Sequence, residues 1–298
     1  MIAKLRRKPK ARIIIAAAAL LLIASLAVSY LVSKYALTVT GYTVESAAIS
    51  GSVRIVQLSD LHNASFGSGN SRLIEAVAGQ KPDLILRTGD IIDRDTESTQ
   101  AVCSLITALT EIAPVYASFG NHEAEHEQRW GSDVRGAYTA AGAVVLEREW
   151  ADITVRSERI RIGGIFGYCL PAKYLSTGEA SEDECGFLTA FTDTESLTVL
   201  MCHMPVCWIV NDGLDEWDVD LIFAGHSHGG QVRLPFVGGL TAPDRGLFPG
   251  KECGLYCSSD GERTLVLSRG LGSPFGRPRI NNIPEIVTVD LVPKGDRQ

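Results

Sequence analysis

Acidic residues are missing from the first 44 positions of this 298-residue sequence. No acidic residue precedes Glu45, and no charged residue of either sign lies between Ile13 and Val32. A helix of these 20 mostly apolar residues, rising about 1.5 Å per residue, spans the roughly 30 Å of hydrocarbon in a bilayer. The sequence therefore predicts a membrane-spanning anchor helix over residues 13–33.

Basic residues are concentrated before this helix, at Lys4, Arg6, Arg7, Lys8, Lys10 and Arg12. Because basic residues beside a membrane helix stay in the cytoplasm, we expect residues 1–12 to be cytoplasmic and the chain after Lys34 to be extracytoplasmic, in a single-pass protein of the cell membrane. A cleaved signal peptide is the alternative, although its apolar region usually has only about 7–15 residues. Residues 34–52 follow as an edge strand or as a flexible spacer, which would keep the rest of the chain within about 25 Å of the bilayer.

The remainder of the chain has no excess of basic residues. Lys34 and the six N-terminal cations account for seven of the 28 basic residues, which leaves 21 against 35 acidic residues and a net charge of −14. This balance argues against nucleic acid as a partner. The seven cysteines show no C-x-x-C spacing, so no zinc ribbon or disulfide framework can be assigned. Three of them lie among apolar residues and are predicted to be buried: Cys103, Cys202 and Cys207.

Short apolar runs and helix-like segments alternate after residue 52. Five runs rich in Val, Ile and Leu are predicted to be buried strands: 53–59, 83–88, 115–119, 197–201 and 220–224. The predicted helices are 71–80, 96–112 and 133–142. Further strands are predicted as a hairpin over 151–167, turning at Ser157-Glu158, and as single strands at 263–268 and 285–291. With no internal repeat, residues 53–292 are predicted to form one α/β domain of two packed β-sheets flanked by helices, followed by a tail over 293–298.

Polar residues follow each of the five predicted strands, and five of the six histidines are among them. In chain order they are Asp60, His62, Asp90, Asn121, His122, His203, His226 and His228. Because the carboxyl ends of strands in an open α/β sheet meet at one rim, we expect these side chains to converge. The sixth histidine, His126, lies in a charged segment and is predicted to be on the surface. Glu123 is predicted to be a solvated helix residue without a chemical role.

Each of these residues alone has an ordinary structural explanation. An aspartate after a strand commonly caps a turn or helix, and Asn121 could occupy a left-handed turn. Together, however, imidazole, carboxylate and amide oxygen are ligands typical of Mn, Fe or Zn, and there are too many for one tetrahedral ion. We therefore predict two divalent ions that share a carboxylate.

The motifs that carry these residues resemble those of the calcineurin-like metallophosphoesterase superfamily. D-L-H at 60–62, G-D at 89–90, G-N-H-E at 120–123, the isolated His203 and G-H-S-H at 225–228 occur in the order and spacing of that family, over roughly residues 50–292. The stretches G-H-S-H-G-G-Q-V-R-L-P and S-R-G-L-G are similar to the bacterial, membrane-associated branch typified by YkuE and YaeI. The resemblance implies an αββα sandwich and phosphoester hydrolysis.

The resemblance also implies a role for each motif residue. One ion would be bound by Asp60, His62 and His228. The second ion would be bound by Asn121, His203 and His226. Asp90 would bridge both ions, and His122 would be the general acid that protonates the leaving group.

The chemistry beyond the metal ligands is less specific in the sequence. Arg269, Arg277 and Arg279 are candidates for binding a substrate anion, because a guanidinium can form two parallel hydrogen bonds to a phosphate. The segment 236–257, rich in Gly and Pro, is predicted to be either an extended rim segment beside the paired histidines or a plain surface loop.

We predict a membrane-anchored dimetal phosphoesterase for phosphomonoester, phosphodiester or pyrophosphate bonds. A lipid-linked or envelope phosphoester is our hypothesis for the substrate. The alternative is a non-catalytic, metal-stabilised interaction module on the same fold, which the presence of His122 and of every ligand position disfavours.

Overall fold

The structure is a computed structural model that describes residues 9–274 and 276–295. The predicted cytoplasmic cations Lys4, Arg6, Arg7 and Lys8 lie outside the described residues, as do residues 296–298 of the predicted tail. The helices are α1 Pro9–Tyr35, α2 Ser71–Gln80, α3 Gln100–Thr110, α4 Asn121–Trp130, α5 Val134–Ala140, α6 Tyr174–Thr177, α7 Glu182–Thr192, α8 Val206–Ile209 and α9 Gly213–Glu216. The strands are β1 Thr38–Ser46, β2 Val53–Leu58, β3 Leu84–Thr88, β4 Val115–Ser118, β5 Val144–Val145, β6 Glu149–Val155, β7 Glu158–Ile165, β8 Leu197–Cys202, β9 Leu221–Ala224, β10 Arg233–Leu234, β11 Gly238–Gly239, β12 Thr241–Ala242, β13 Gly246–Leu247, β14 Gly254–Cys257, β15 Thr264–Leu267 and β16 Glu285–Pro293.

Two six-stranded sheets form the domain. The first has the order β1-β16-β2-β3-β4-β5, in which β2 to β5 are parallel and β16 runs antiparallel to β2. The second has the order β14-β15-β9-β8-β7-β6, in which the four central strands are parallel and the two edge strands antiparallel. Each sheet therefore brings the carboxyl ends of its central strands to one rim.

The sheets pack face to face through fully buried side chains such as Ile55 and Leu86 of the first sheet and Val199 and Phe223 of the second. Alternate residues of the same strands face outward, where α2, α3 and α5 cover the first sheet and α6 to α9 cover the second. Because both faces of each sheet are buried, the central strands are apolar without alternation. This arrangement confirms the predicted α/β domain of two packed sheets flanked by helices.

The predicted elements are found with ends that differ by up to four residues. The hairpin turn lies one residue earlier than predicted, at Arg156 and Ser157, because these two residues take the left-handed conformation and Glu158 already begins β7. Cys202 and Cys207 are buried as predicted, whereas Cys103 is only partly buried.

The helix α1 continues almost directly into the domain. It is long and apolar enough to cross a membrane, a property that membrane anchors share with signal sequences. It ends at Tyr35, and β1 begins at Thr38 and pairs in parallel with β16 as far as Ser46. An edge strand, rather than a flexible spacer, is therefore the main structure of residues 34–52, because the backbone of β16 supplies hydrogen-bond partners that a spacer would lack.

A partly buried carboxylate joins the rims of the two sheets. Glu147, after β5, accepts a hydrogen bond from the Phe119 amide, which follows β4 in the first sheet. Its other carboxylate oxygen accepts one from the Phe166 amide, 3.2 Å away, which follows β7 in the second sheet. Burial raises the pKa of Glu147 to about 7, because little water remains to stabilise its charge.

Glu147→Gln should therefore make stability less dependent on pH. The folded pKa of about 7 lies above the reference value of 4.5, so the stability that the protonated carboxyl contributes below pH 4.5 is lost as the pH rises through 7. We therefore compare the free energy of unfolding of the variant with that of the wild type at each pH. The variant's value minus the wild type's should be roughly 1–3 kcal/mol larger at about pH 8 than at about pH 5. Urea denaturation of the detergent-solubilised chain measures this difference. An unchanged difference across that range would contradict the prediction.

Candidate metal centre

The residues that follow the central strands meet where the two rims adjoin. Two groups of potential ligand atoms that include Asp90 lie there, the atoms of each group within 4.8 Å of one another: Asp60, His62, Asp90 and His228 form the first, and Asp90, His203 and His226 the second. Asp90 belongs to both groups. His62 also belongs to a third group of potential ligand atoms, with Asp93 and His122. Asn121 begins α4 beside them, directly after Gly120, which contacts Asp90.

Several of these ligand atoms are buried without a hydrogen-bond partner: His62 Nε2, His203 Nε2, His228 Nδ1 and Asn121 Oδ1. A buried polar atom without a partner costs about 1–3 kcal/mol, and few such atoms occur in native proteins. Four of them at one place therefore indicate a missing electrostatic partner. Because imidazole, carboxylate and amide oxygen together suit divalent transition metals, the residues fit a dinuclear metal centre.

Neighbouring oxygen atoms orient three of the histidine rings. The contacts are His62 Nδ1 to Asp93 Oδ1 (2.8 Å), His203 Nδ1 to the Thr88 carbonyl oxygen (2.7 Å), and His226 Nε2 to Asp244 Oδ2 (2.9 Å). Contacts of this kind fix the ring and leave its other nitrogen for an ion.

The ligand loops have an unusual backbone. Five ligand residues have φ angles between 45° and 65°, in the left-handed region that residues other than glycine seldom adopt: Asp60, His62, Asp90, His226 and His228. Each such residue costs about 1–3 kcal/mol and persists only where its surroundings determine the conformation. Here the His62 amide donates to the Asp90 carbonyl (3.0 Å) and the His226 amide to Asp60 Oδ1 (2.9 Å), so the ligand loops hold one another in place.

Two glycines allow these loops to approach the carboxylates. A Cβ atom on Gly120 would lie 2.1 Å from Asp90 Oδ1, and one on Gly225 would lie 2.0 Å from Ser59 Oγ and 2.3 Å from Asp60 Oδ2. The glycines that open the G-N-H-E and G-H-S-H motifs are therefore steric requirements of the site.

The histidines keep the buried carboxylates ionised. Burial alone would raise the pKa of Asp90. The positive charges of His203 and His62 outweigh this effect and hold that pKa well below its usual range. Burial lowers the pKa of His203, but the Asp90 carboxylate outweighs this effect and raises it to about 10. Burial lowers the pKa of His228 to about 3. Carboxylates that remain charged in a buried site provide a strong attraction for cations.

His122 lies beside the two ligand groups. Its ring is edge-to-face with that of His62, with 4.7 Å between the ring centres, and its amide donates to Asp90 Oδ1 at 2.9 Å. Its Nδ1 accepts the Arg94 amide at 3.2 Å and lies 3.4 Å from Asp93 Oδ1. Burial lowers the pKa of His122, although Asp90 and Asp93 oppose this effect. The ring lines a polar cavity of about 380 Å³.

A second cavity, of about 520 Å³, opens beside His62 and is lined by Arg277 among other residues. The other candidate arginines have protein partners. Arg269 pairs with Glu285 at 2.6 Å, and the Arg279 guanidinium donates to backbone oxygen atoms, including that of Gly272 at 2.7 Å. Arg277 and Arg279 both line this cavity, but Arg279 is buried and bonded to backbone oxygen atoms, whereas Arg277 is exposed.

Two predictions about α4 are wrong. His126 is only 4% exposed, and its ring bonds to the Thr96 carbonyl oxygen and to Ser132 Oγ. Glu123 is fully buried, and its carboxylate accepts hydrogen bonds from the amides of Asp90, Ile91 and Gly120. The charged segment suggested a solvated helix, but one side of α4 faces the ligand loops. The position of Glu123, three residues after the residue that caps the helix, is a signal for such backbone contacts.

Two further carboxylates that contact the histidines, Asp93 and Asp244, were not among the predicted site residues. The D-x-x-D spacing of Asp90 and Asp93 was the available signal for the first. Asp244 lies in the segment 236–257, and its contact with His226 depends on how that segment folds back over the histidine loop.

Two packed sheets whose adjoining rims hold imidazole and carboxylate ligands around one shared carboxylate define a dinuclear metallohydrolase. Residues 53–230, more than half of the chain, match the Calcineurin-like phosphoesterase family, and the protein belongs to this family. It is a metal-dependent phosphoester hydrolase.

Curated relatives are similar over most of the chain. The chain is 30% identical over 244 residues to Phosphodiesterase YaeI of Escherichia coli (strain K12), which covers 80% of this chain and 82% of YaeI. It is 28% identical over 260 residues to the uncharacterized metallophosphoesterase YkuE of Bacillus subtilis (strain 168), covering 85% of this chain and 84% of YkuE. It is 24% identical over 276 residues to UDP-2,3-diacylglucosamine pyrophosphatase LpxG of Chlamydia trachomatis, covering 78% and 82%.

Asp90→Asn should release the metal from both halves of the centre. The substitution removes the one charge that the two ligand groups share, so two close cations would be poorly neutralised. We expect dialysed wild-type protein to retain about two ions per chain and the variant to retain close to none, measured by elemental analysis. Gln128→Ala, on the exposed side of α4, is the matched control and should retain both ions. Retention of both ions by Asp90→Asn would contradict the shared role.

Proposed function

We propose that this protein is a membrane-anchored dimetal phosphoesterase that cleaves phosphomonoester, phosphodiester or pyrophosphate bonds, with His122 as the general acid. The observation that carries the proposal is that two ligand groups share Asp90 while His122 lies at their edge, over a cavity. When bound, two divalent ions supply Lewis-acid activation of water and neutralise charge on the phosphoryl group.

The two ligand groups support a division of the metal ligands. One ion is held by Asp60, His62 and His228. The other is held by Asn121, His203 and His226. Asp90 contributes to both. The ligand types suit Mn, Fe or Zn.

The surroundings of His122 suit proton transfer to a leaving group. Burial and the hydrogen bond from the Arg94 amide favour the neutral ring, whereas Asp90 and Asp93 favour the protonated ring. A general acid works best when neither form is strongly preferred near the operating pH. To act as the acid the ring must be protonated on both nitrogens, with Nδ1–H directed to Asp93 Oδ1, 3.4 Å away, and Nε2–H directed to the leaving-group oxygen. Once Nε2 has given up its proton, the neutral ring can again accept the Arg94 amide at Nδ1.

We further propose that the substrate is a lipid-linked or envelope phosphoester and that Arg277 binds an anionic group of it. Two observations support this proposal: α1 is apolar and leads directly into β1, and Arg277 lines the cavity beside His62. The name of the relative LpxG describes a pyrophosphatase for a diacylated sugar nucleotide, whereas that of YaeI describes a phosphodiesterase.

His122→Ala tests the general acid. The purified wild type with added manganese should hydrolyse bis-p-nitrophenyl phosphate, and the variant should keep its metal. Its turnover of a diester with an alkyl leaving group should fall by about 10²–10⁴, the usual contribution of general acid catalysis. The loss should be much smaller with p-nitrophenolate, a leaving group that needs little protonation.

Steady-state kinetics and elemental analysis of the same preparations check this prediction, with Gln128→Ala as the control. Equal losses on both diesters, or loss of metal from His122→Ala, would show that His122 acts otherwise. An absence of hydrolysis by the wild type with Mn, Fe and Zn would contradict the proposed activity.

We also propose that the domain is extracytoplasmic, because basic residues at the start of the sequence favour a cytoplasmic N-terminus. Protease added to spheroplasts should digest the domain without lysis, whereas a cytoplasmic control protein should survive. Full protection of the domain until lysis would place it in the cytoplasm.

A further inference from the structure

The last two turns of α1 pack against the catalytic domain. The Asn281 amide donates to Ser29 Oγ at 2.7 Å, and the Asn282 amide donates to Ser33 Oγ at 3.0 Å. Ser33 is only 1% exposed, although most of α1 is exposed. The helix is therefore a packed part of the domain surface as well as an anchor.

Asn282 also contacts the loop that carries the candidate ligand His228. The Asn282 side chain donates to the carbonyl oxygen of His228 at 2.7 Å and to that of Gln231 at 3.1 Å. One residue thus joins α1 through its backbone and the histidine loop through its side chain. The position of the anchor is fixed relative to the site.

The cavity of about 520 Å³ lies between these two parts of the molecule. Tyr30, Ser33 and Lys34 of α1 line it, and so does the candidate ligand His62. A membrane-spanning helix therefore borders the cavity that leads to the ligands.

Five large apolar side chains are exposed at two neighbouring loop tips: Leu234, Phe236, Val237, Leu247 and Phe248. We call them the apolar tips. The first tip is the turn between β10 and β11, and the second surrounds β13, shortly after Asp244, which contacts His226. Exposed apolar groups of this size indicate a surface that is covered by a membrane or by a protein partner.

Hydrogen bonds connect the first tip to α1. Asn281, which binds Ser29, also donates from its side chain to the Arg233 carbonyl oxygen at 3.2 Å, immediately before Leu234. Ser29 lies six residues before Tyr35, which is about 9 Å along the helix axis from its end. The first tip thus begins at the level of Ser29, which lies inside the predicted membrane span 13–33, and the bilayer is therefore the partner that fits this surface.

Two phenylalanines of the apolar tips combine an exposed ring with a strained backbone conformation. Phe236 is fully exposed with φ 65°, and Phe248 is 56% exposed with φ 52°. Bulky residues rarely adopt this left-handed conformation, and such outliers are common at functional sites.

We propose that the apolar tips insert into the bilayer beside α1, so that the cavity walled by Tyr30, Ser33 and Lys34 opens onto the lipid headgroups and takes amphiphilic phosphoesters from the membrane. The part of this inference that concerns substrate rests on the proposed function. Insertion of aromatic and aliphatic side chains at the interface is the usual means by which such surfaces bind membranes.

Insertion is tested without reference to activity. Phe236→Trp in the full chain is reconstituted in phosphatidylcholine vesicles, with and without bromine on the acyl chains, and compared with the wild type. We expect bromine to quench the added tryptophan fluorescence. Val144→Trp, at an exposed site on β5 far from α1 in the sheet order, is the control and should not be quenched. Equal quenching in both variants, or none in Phe236→Trp, would overturn the proposal. So would a stable dimer of the wild type in detergent that Phe236→Asn abolishes, because the tips would then be covered by a second copy of the chain.

Access from the membrane is tested with the double variant Phe236→Asn/Phe248→Asn, since asparagine tolerates the left-handed conformation. Its kcat/KM for dodecyl p-nitrophenyl phosphate in phosphatidylcholine vesicles should fall about tenfold, because two apolar anchors are lost. Its kcat/KM for soluble bis-p-nitrophenyl phosphate should not change, and Val144→Ser should affect neither substrate. Equal effects on both substrates would overturn access from the membrane. If the wild type hydrolyses neither diester, the proposed function fails, while the quenching experiment still decides insertion.

Discussion

The burial of one ionised carboxylate, Asp90, is the constraint on which the site depends. Its own amide donates to Glu123, its side chain accepts the His122 amide, and Gly120 leaves room for it because it has no side chain. A buried carboxylate without opposing charge would be too costly to keep ionised. The histidines, the shared carboxylate and the divalent ions are therefore mutually dependent, and each makes the burial of the others possible.

Two glutamates extend this dependence into the fold. Glu123 binds the amides of the loop that carries Asp90, and Glu147 binds amides at the rims of both sheets. Backbone amides at strand ends have no partner within the sheet. One carboxylate can accept hydrogen bonds from several of these amides and so hold a loop in place. The left-handed conformations of five ligand residues can persist because these contacts leave the loops few alternatives.

The long apolar helix α1 is connected to the same site. α1 contacts Asn282, and Asn282 contacts the loop that contains His228, so a displacement of the helix would be transmitted to a metal ligand through two hydrogen bonds. A helix that is packed on the domain differs from one on a flexible spacer, because the orientation of the cavity relative to the helix is set as well as its distance. Among the described residues, both α1 and the apolar tips adjoin the side of the domain where the candidate metal ligands lie.

The sequence by itself determined the strands, the long apolar helix and the candidate ligands, because apolar runs and the polar residues at their ends are local patterns. It also predicted that His226 and His228 act with Asp60 and Asp90, since strand ends converge in a sheet. Only the tertiary structure decided which carboxylates support the ligands. Glu123 looked like a solvated residue in a charged segment, and Asp244 had no local signal at all. Whether a charged residue faces water or a buried amide depends on which side of its helix or loop meets the rest of the chain, and contacts between residues far apart in sequence set that orientation.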